Sequence, residues 1–151
     1  NQFGVGPKLL GFSKNFLVIE YLDGEKIGKW INKLKEKPNV VQLKNIIKKT
    51  LTDCYKLDKI GLDHGELSNI TKHVIVGKKI TILDFESSSV DRRVSNVTSA
   101  TQAFYIGSGI SKIVNPLCKP SRKSKIISVL RKYKTDQTKE NFLDLLKVLN
   151  L

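Results

Sequence analysis

The chain has 151 residues, of which 40% are hydrophobic, and this length and composition suit one globular domain with its own core. Twenty-seven Lys and Arg against fourteen Asp and Glu give a formal net charge of +13, which favours a polyanionic partner such as a nucleotide, a phosphoprotein or RNA, unless the lysines simply solvate helix faces. No apolar run approaches the ~20 residues that span a bilayer, and no amino-terminal segment resembles a signal peptide, so we expect a cytoplasmic protein without membrane contact.

The amino-terminal part of the chain predicts two strands and then two helices. The strands cover residues 8–12 and 16–21 and form an antiparallel pair. A short amphipathic helix is predicted from apolar residues at helical spacing, namely Ile27, Trp30, Ile31 and Leu34. Pro38-Asn39 ends it, and a longer helix is predicted over residues 40–57. Cys54 and Cys118 have no CxxC partner, so we expect buried thiols.

A β-hairpin is predicted in the middle of the chain. Residues 73–76 and 80–83 are apolar and β-branched, and Gly77-Lys78-Lys79 joins them, with the glycine expected at a positive φ. Further along, Ser95 is the predicted cap of a helix that ends at Gly107, and two more helices are predicted at about 124–133 and 139–150. Pro116 and Pro120 are expected to bracket a basic connector.

Two short motifs flank this hairpin. His64-Gly65-Glu66-Leu67 precedes it, and Asp84-Phe85-Glu86 follows it. Together they resemble the catalytic loop and the metal-binding loop of a protein kinase, where a carboxylate beside the phosphoryl acceptor and a carboxylate that holds Mg²⁺ stand at the two ends of a short antiparallel ribbon.

The wider sequence is similar to the predicted serine/threonine protein kinases of archaea, a branch of the RIO- and Bud-type atypical kinases, whose catalytic loops also carry His-Gly. The similar stretches are residues 4–24 and 62–107, including Asp63-His-Gly-Glu-Leu-Ser68, Leu83-Asp-Phe-Glu-Ser87, Arg92-Arg93 and Ser95-Asn-Val-Thr-Ser99. This resemblance implies an α+β, kinase-like C-lobe that is mostly helical, with a hinge-side strand pair and a catalytic β-hairpin. Residues 1–24 would be the end of the N-lobe and the hinge, and residues 25–151 the C-lobe.

The resemblance also implies an activity, the ATP- and Mg²⁺-dependent (or Mn²⁺-dependent) phosphorylation of a serine or threonine in a protein substrate. The hinge residues Glu20, Tyr21 and Leu22 would contact the nucleotide, and Asp84 would chelate the metal ion. The second metal ligand is either Asn69 or His73, since neither stands at the usual spacing of five residues after the catalytic acid.

Glu66 stands where kinases place the base that accepts the proton of the acceptor hydroxyl. It has the chemistry of aspartate with one more methylene, so a structural role for Glu66 and a fallback base at Asp63 stay open. Lys72 would neutralise phosphate charge during transfer, or is a solvated lysine. His64 is expected to be scaffold that holds the catalytic loop.

Two further expectations concern the limits of this resemblance. Residues 1–151 contain no glycine-rich phosphate loop and no strand lysine, so we expect a segment of a longer kinase that is inactive by itself. The alternatives are a small-molecule kinase and a basic phosphate- or RNA-binding module on a retired kinase scaffold. The second is suggested by a carboxy-terminal run of basic residues: Lys119, Arg122, Lys123, Lys125, Arg131, Lys132 and Lys134.

Overall fold

A computed structural model describes residues 3–107 and 109–151 and shows an α+β fold that is roughly half helical. Its strands are β1 (Leu9–Phe12), β2 (Leu17–Ile19), β3 (Gly24–Lys26), β4 (Val74–Gly77) and β5 (Ile80–Ile82). Its helices are α1 (Ile27–Lys33), α2 (Val40–Lys59), α3 (Ile70–His73), α4 (Asn96–Tyr105), α5 (Ser111–Cys118), α6 (Lys123–Thr135) and α7 (Lys139–Val148). Within the described residues, no helix combines the length and apolar character needed to cross a membrane.

The five helices that the periodicity predicts all form, and local chemistry sets where some of them begin. The Asn39 side chain accepts a hydrogen bond from the Gln42 amide at 3.0 Å and so caps α2. Ser95 stands at the predicted N-cap position of α4, but its side chain makes no capping hydrogen bond. Its amide and hydroxyl donate instead to Asp63 Oδ1, at 3.0 and 3.2 Å, because this carboxylate lies beside the start of the helix.

Helix α5 replaces the basic connector that was predicted between two prolines. Pro116 lies inside α5, beyond its first turn, so the helix lacks the backbone hydrogen bond that this residue would otherwise donate to the residue four positions earlier. The helix forms because Ser111, Val114 and Cys118 point to the core at helical spacing. In addition, the Asn115 side chain donates a hydrogen bond to the Tyr105 carbonyl at 3.1 Å, which ties α5 to the end of α4.

The predicted strand pair near the amino terminus forms as β1 and β2, which are antiparallel. Their large apolar side chains are between 41% and 79% exposed, so this ribbon contributes little to the core. The strands were therefore correctly predicted from their composition, although composition alone did not decide their burial.

The predicted hairpin forms as β4 and β5, and it gains an unpredicted third strand. β3 pairs with β4 in the register Gly24↔Gly77, Glu25↔Val76 and Lys26↔Ile75. Gly77 does not adopt the positive φ that was expected. It is glycine because β3 passes so closely that a Cβ at Gly77 would lie 2.0 Å from the Asp23 carbonyl oxygen.

The core lies between α1, α2, α4 and one face of the hairpin, and it continues into buried side chains of α5, α6 and α7. Its fully enclosed side chains include Ile27, Ile31, Leu43, Ile47, Leu51, Ile82 and Phe104. Each such aliphatic side chain contributes about 1.5–3 kcal/mol on burial, so the packing fixes the hairpin against α2. Cys54 and Cys118 are free and buried, as predicted. Because the hairpin is packed into this core, the chain segments before β4 and after β5 are attached to a fixed element.

Candidate active site

Asp63 opens the loop that precedes the hairpin, and its side chain is structural. Its backbone forms a two-way bridge with Ser89, with both N to O distances at 2.9 Å. Its carboxylate accepts hydrogen bonds from Ser95 and from Arg92 Nε, the latter at 3.2 Å, and only 6% of the residue is exposed. The structure therefore commits Asp63 to holding the loop, which leaves Glu66 as the accessible carboxylate.

Gly65 allows that loop to close tightly. It has φ +89°, and a Cβ there would lie 2.6 Å from Arg92 Nη2 and 2.7 Å from the Ser87 carbonyl oxygen. Arg92 Nη2 donates to that same carbonyl at 2.5 Å. The glycine thus lets one arginine tie together the loops on both sides of the hairpin.

His64 is buried and both of its ring nitrogens are engaged. Nε2 donates to the Leu83 carbonyl at 3.0 Å, and this assigns Nδ1 as the acceptor from the Glu66 amide at 3.4 Å. The ring also contacts Phe85, with centroids 4.8 Å apart. Burial lowers the pKa of His64. These contacts support the scaffold role expected of His64, since its ring links the strand before Asp84 to the loop that carries Glu66.

A buried polar network anchors this loop from behind. The His64 amide donates to Asn96 Oδ1 at 2.8 Å, and Asn96 Nδ2 donates to Asp58 Oδ1 at 2.8 Å. Tyr133 Oη donates to Asp58 Oδ2 at 2.8 Å. Burial raises the pKa of Asp58. The chain of contacts thus runs from α6 through the end of α2 to the first residue of α4 and then to the loop that carries His64 and Glu66.

The sequence analysis did not predict that Asp58, Asn96 and Tyr133 would support the loop that carries His64 and Glu66. A signal for the first was present, because Asp58 continues the apolar face of α2 four residues after Cys54. A carboxylate on an apolar helix face needs buried donors, and α4 and α6 supply them.

Tyr133→Phe is expected to lower the free energy of unfolding by about 2 kcal/mol, because it removes one hydrogen bond to a buried carboxylate. Urea unfolding followed by circular dichroism measures the loss. Tyr55→Phe is the matched control, since Tyr55 lies 6.4 Å from Tyr133 between ring centroids and no hydrogen bond of its hydroxyl is found in residues 3–107 and 109–151. Equal losses in the two variants would contradict the network.

Glu66 reaches the open side of the loop with its side chain 37% exposed. Its Oε1 accepts a hydrogen bond from Ser87 Oγ at 2.5 Å, and this bond lowers the pKa of Glu66. Its Oε2 lies 3.2 Å from His73 Nε2. Lys72 is exposed and also acts on Glu66 through its positive charge.

Asp84 follows the hairpin in the sequence and lies at the same, open end of it as the Glu66 loop. It follows β5 with φ +71°, the left-handed conformation that aspartate and asparagine tolerate better than most residues. Its side chain is 42% exposed, and its Oδ2 lies 3.6 Å from His73 Nδ1. Glu66, His73 and Asp84 each offer one ligand atom, and these atoms all lie within 4.8 Å of one another.

The remaining predicted site residues lie elsewhere. Asn69 Oδ1 accepts a hydrogen bond from Thr71 Oγ1 at 2.8 Å, and the residue lines a cavity against α4 and α5. The hinge residues line a cavity of about 240 Å³ beside the turn of the hairpin. The lining of that cavity is Glu20, Tyr21, Leu22, Asp23, Ile75, Lys78, Lys79 and Thr81. The structure thus gathers His73, not Asn69, with the two carboxylates.

Comparisons with known proteins give a distant relative. The chain is 28% identical over 96 residues to an uncharacterized protein from Methanocaldococcus jannaschii, and the match covers 64% of this chain and 79% of that protein. No protein-family model matches the chain. The relative's name states no activity, so the functional argument rests on the geometry of the site.

Proposed function

We propose that this chain is the catalytic C-lobe of an ATP- and Mg²⁺-dependent serine/threonine protein kinase. One observation carries the proposal: Glu66 precedes and Asp84 follows one hairpin in the sequence, and their carboxylates lie close together at its open end. Phosphoryl transfer depends almost entirely on positioning and on electrostatic stabilisation, so two fixed, accessible carboxylates are the parts that such a lobe must supply.

Asp84 is the proposed ligand of the nucleotide-bound metal ion. Carboxylate oxygens suit Mg²⁺ and Mn²⁺, and the ion supplies charge neutralisation at the phosphates when it is bound. Asp84 lies just after β5, and its side chain is 42% exposed, so its carboxylate is accessible to a cation. The proposal is supported by His73 Nδ1, which lies 3.6 Å from Asp84 Oδ2 and has no hydrogen-bond partner among the described residues.

Glu66 is the proposed acceptor of the substrate hydroxyl proton. The Ser87 hydroxyl already donates to its Oε1 at 2.5 Å, so the carboxylate is oriented to receive a serine hydroxyl. A serine or threonine of the substrate would replace Ser87 at this oxygen. Lys72, exposed beside Glu66, would face the transferred phosphate and reduce its charge.

The hinge assignment follows from position. Glu20, Tyr21 and Leu22 lie just before β3 and line a cavity with two lysines of the hairpin turn. Tyr21 is 91% exposed, so we assign nucleotide-base contacts to the backbone of this segment and not to the tyrosine ring.

The activity is tested by incubating the full-length protein with labelled ATP, Mg²⁺ or Mn²⁺, and two sets of acceptors: serine-rich proteins and hydroxyl-bearing small molecules. Label on protein serine or threonine is the expected result. Label on small molecules alone would replace the proposal with a small-molecule kinase, which would use the same two carboxylates.

The 151-residue chain assayed alone is expected to transfer no phosphate. Without a glycine-rich cover and a strand lysine, the triphosphate is contacted from one side only, and the positive charge gives at most weak, salt-sensitive nucleotide binding. The same labelled-ATP assay, run beside the full-length protein, measures this. Robust transfer by residues 1–151 would mean that the nucleotide site is misplaced.

One observation favours the binding-module alternative. The seven basic residues from Lys119 to Lys134 named above are all exposed, on and beside α6. If this surface binds RNA, its affinity falls steeply with salt and is unchanged in Asp84→Asn, because Asp84 belongs to the hairpin site. Measurable RNA binding together with no phosphoryl transfer by the full-length protein would favour this alternative.

A further inference from the structure

We propose that Glu66, His73 and Asp84 form a binding site for a divalent transition-metal ion such as Mn²⁺ or Zn²⁺, which binds in the absence of nucleotide and in preference to Mg²⁺. This inference goes beyond the proposed kinase activity and does not depend on it. It rests on the contacts of three side chains and on the chemistry of an imidazole nitrogen.

The first support is the spacing of the three ligand atoms. They all lie within 4.8 Å of one another. Metal–ligand bonds of roughly 2.0–2.2 Å place the ligands of one ion up to about 4.4 Å apart. Glu66 Oε2 lies 3.2 Å from one ring nitrogen of His73, Nε2, so the Glu66 side chain must rotate toward the other, Nδ1, to join Asp84 on the ion. Both carboxylates can make such movements, because Glu66 and Asp84 are 37% and 42% exposed.

The second support is an unsatisfied buried nitrogen. His73 is 4% exposed, and its Nδ1 has no hydrogen-bond partner in the part of the chain that the structure describes. The 3.6 Å from this nitrogen to Asp84 Oδ2 is too long for a hydrogen bond. A buried polar atom without a partner destabilises the fold, and a metal ion held between His73 and Asp84 would satisfy it.

The neighbouring histidine does not compete for the ion. His64 uses one ring nitrogen to donate to the Leu83 carbonyl and the other to accept from the Glu66 amide. The two rings lie edge to face, with centroids 5.4 Å apart, so His64 instead limits how far the His73 ring can move. The ligand set is therefore one nitrogen and two carboxylates.

This ligand set determines the preferred ion. Mg²⁺ favours octahedral oxygen ligands and releases its water reluctantly, whereas imidazole is a good ligand for the first-row transition metals. Two carboxylates also balance the charge of one divalent ion. We therefore expect Zn²⁺ to bind more tightly than Mn²⁺, in keeping with the general order of affinities, and Mg²⁺ to bind least.

The experiment uses the 151-residue chain, freed of metal by chelation, with no nucleotide present. Mn²⁺ is titrated in and its free concentration is read from the electron paramagnetic resonance signal of the hydrated ion. We expect one saturable site per chain, from which Zn²⁺ displaces Mn²⁺ and from which a hundredfold excess of Mg²⁺ over Mn²⁺ does not. No saturable site, or displacement by Mg²⁺ at equal concentration, would overturn the proposal.

Two variants and one control locate the ion. His73→Phe keeps a buried ring and removes the nitrogen ligand. It should weaken Mn²⁺ binding by roughly 100-fold or more, because mutating residues that only hydrogen-bond to metal ligands already lowers metal affinity about 10–100-fold. Asp84→Asn should weaken it by at least about tenfold, and it tests the site even if His73→Phe fails to fold by circular dichroism. Asp144→Asn is the matched control on α7, where Asp144 pairs with Lys147 at 3.1 Å, and it should bind as the parent chain does. Equal weakening by Asp84→Asn and Asp144→Asn, or undiminished binding by folded His73→Phe, would overturn the proposal.

Because no nucleotide is used, this result is separate from the kinase assay. Metal binding without phosphoryl transfer would support the metal site and contradict the kinase activity. Phosphoryl transfer without nucleotide-independent metal binding would support the kinase activity and contradict the metal site.

Discussion

Asp84→Asn is expected to reduce Mg²⁺-dependent phosphoryl transfer by the full-length protein by roughly 10³-fold or more, because the amide keeps the shape of the side chain and loses the charge that holds the metal ion. Asparagine is the informative replacement. It tolerates the left-handed conformation at φ +71°, whereas alanine would add backbone strain and confuse a loss of chemistry with a loss of fold. The measurement is the initial rate of phosphate incorporation at saturating ATP and Mg²⁺.

The control for this variant is Asp144→Asn, which removes one carboxylate from α7, far along the chain from the hairpin. It should leave the rate unchanged. An Asp84→Asn protein that is folded and transfers phosphate at the parent rate would rule out Asp84 as the metal ligand.

Glu66→Gln is expected to lower the rate of phosphoryl transfer by ~10²-fold with little change in nucleotide affinity, as for a group that acts mainly in the transition state. Glutamine still accepts the Ser87 hydroxyl through its amide oxygen, so this contact of the loop is kept. Single-turnover rates together with the ATP concentration dependence separate the two effects.

A different outcome for Glu66→Gln would change its role. Weaker nucleotide affinity with an unaltered rate would place Glu66 in binding. Asp63 is then a poor replacement as the base, because its carboxylate already accepts from Arg92 and Ser95 and is almost fully buried.

The elements that the sequence predicted well are those set by local patterning. α2 shows a clear helical period and an asparagine cap, and β4 and β5 are two β-branched runs joined by a short turn. Each of these signals lies within a few residues, so no distant contact is needed to interpret it.

The elements that the sequence missed depend on distant partners. β3 consists of Gly24, Glu25 and Lys26, which carry no strand pattern of their own, and it exists because β4 offers an edge to pair with. α5 contains Pro116, which argues against a helix until the core beside it is known to accept Val114 and Cys118. Gly77 was correctly singled out for the wrong reason, since the close approach of Asp23 is a contact across the sheet.

The same division holds for the candidate site. By itself, the sequence determined that a histidine, a glycine and two carboxylates flank one hairpin, because the hairpin is a local structure. Only the tertiary structure decided which groups meet there. The Asp58–Asn96–Tyr133 network fixes the loop of Glu66 from three helices, and the end of α3 brings the His73 ring between Glu66 and Asp84 while Asn69 faces a different cavity. The contacts of the network join helix residues that are 38 and 75 positions apart in the chain, and they depend on tertiary packing that no local sequence pattern specifies.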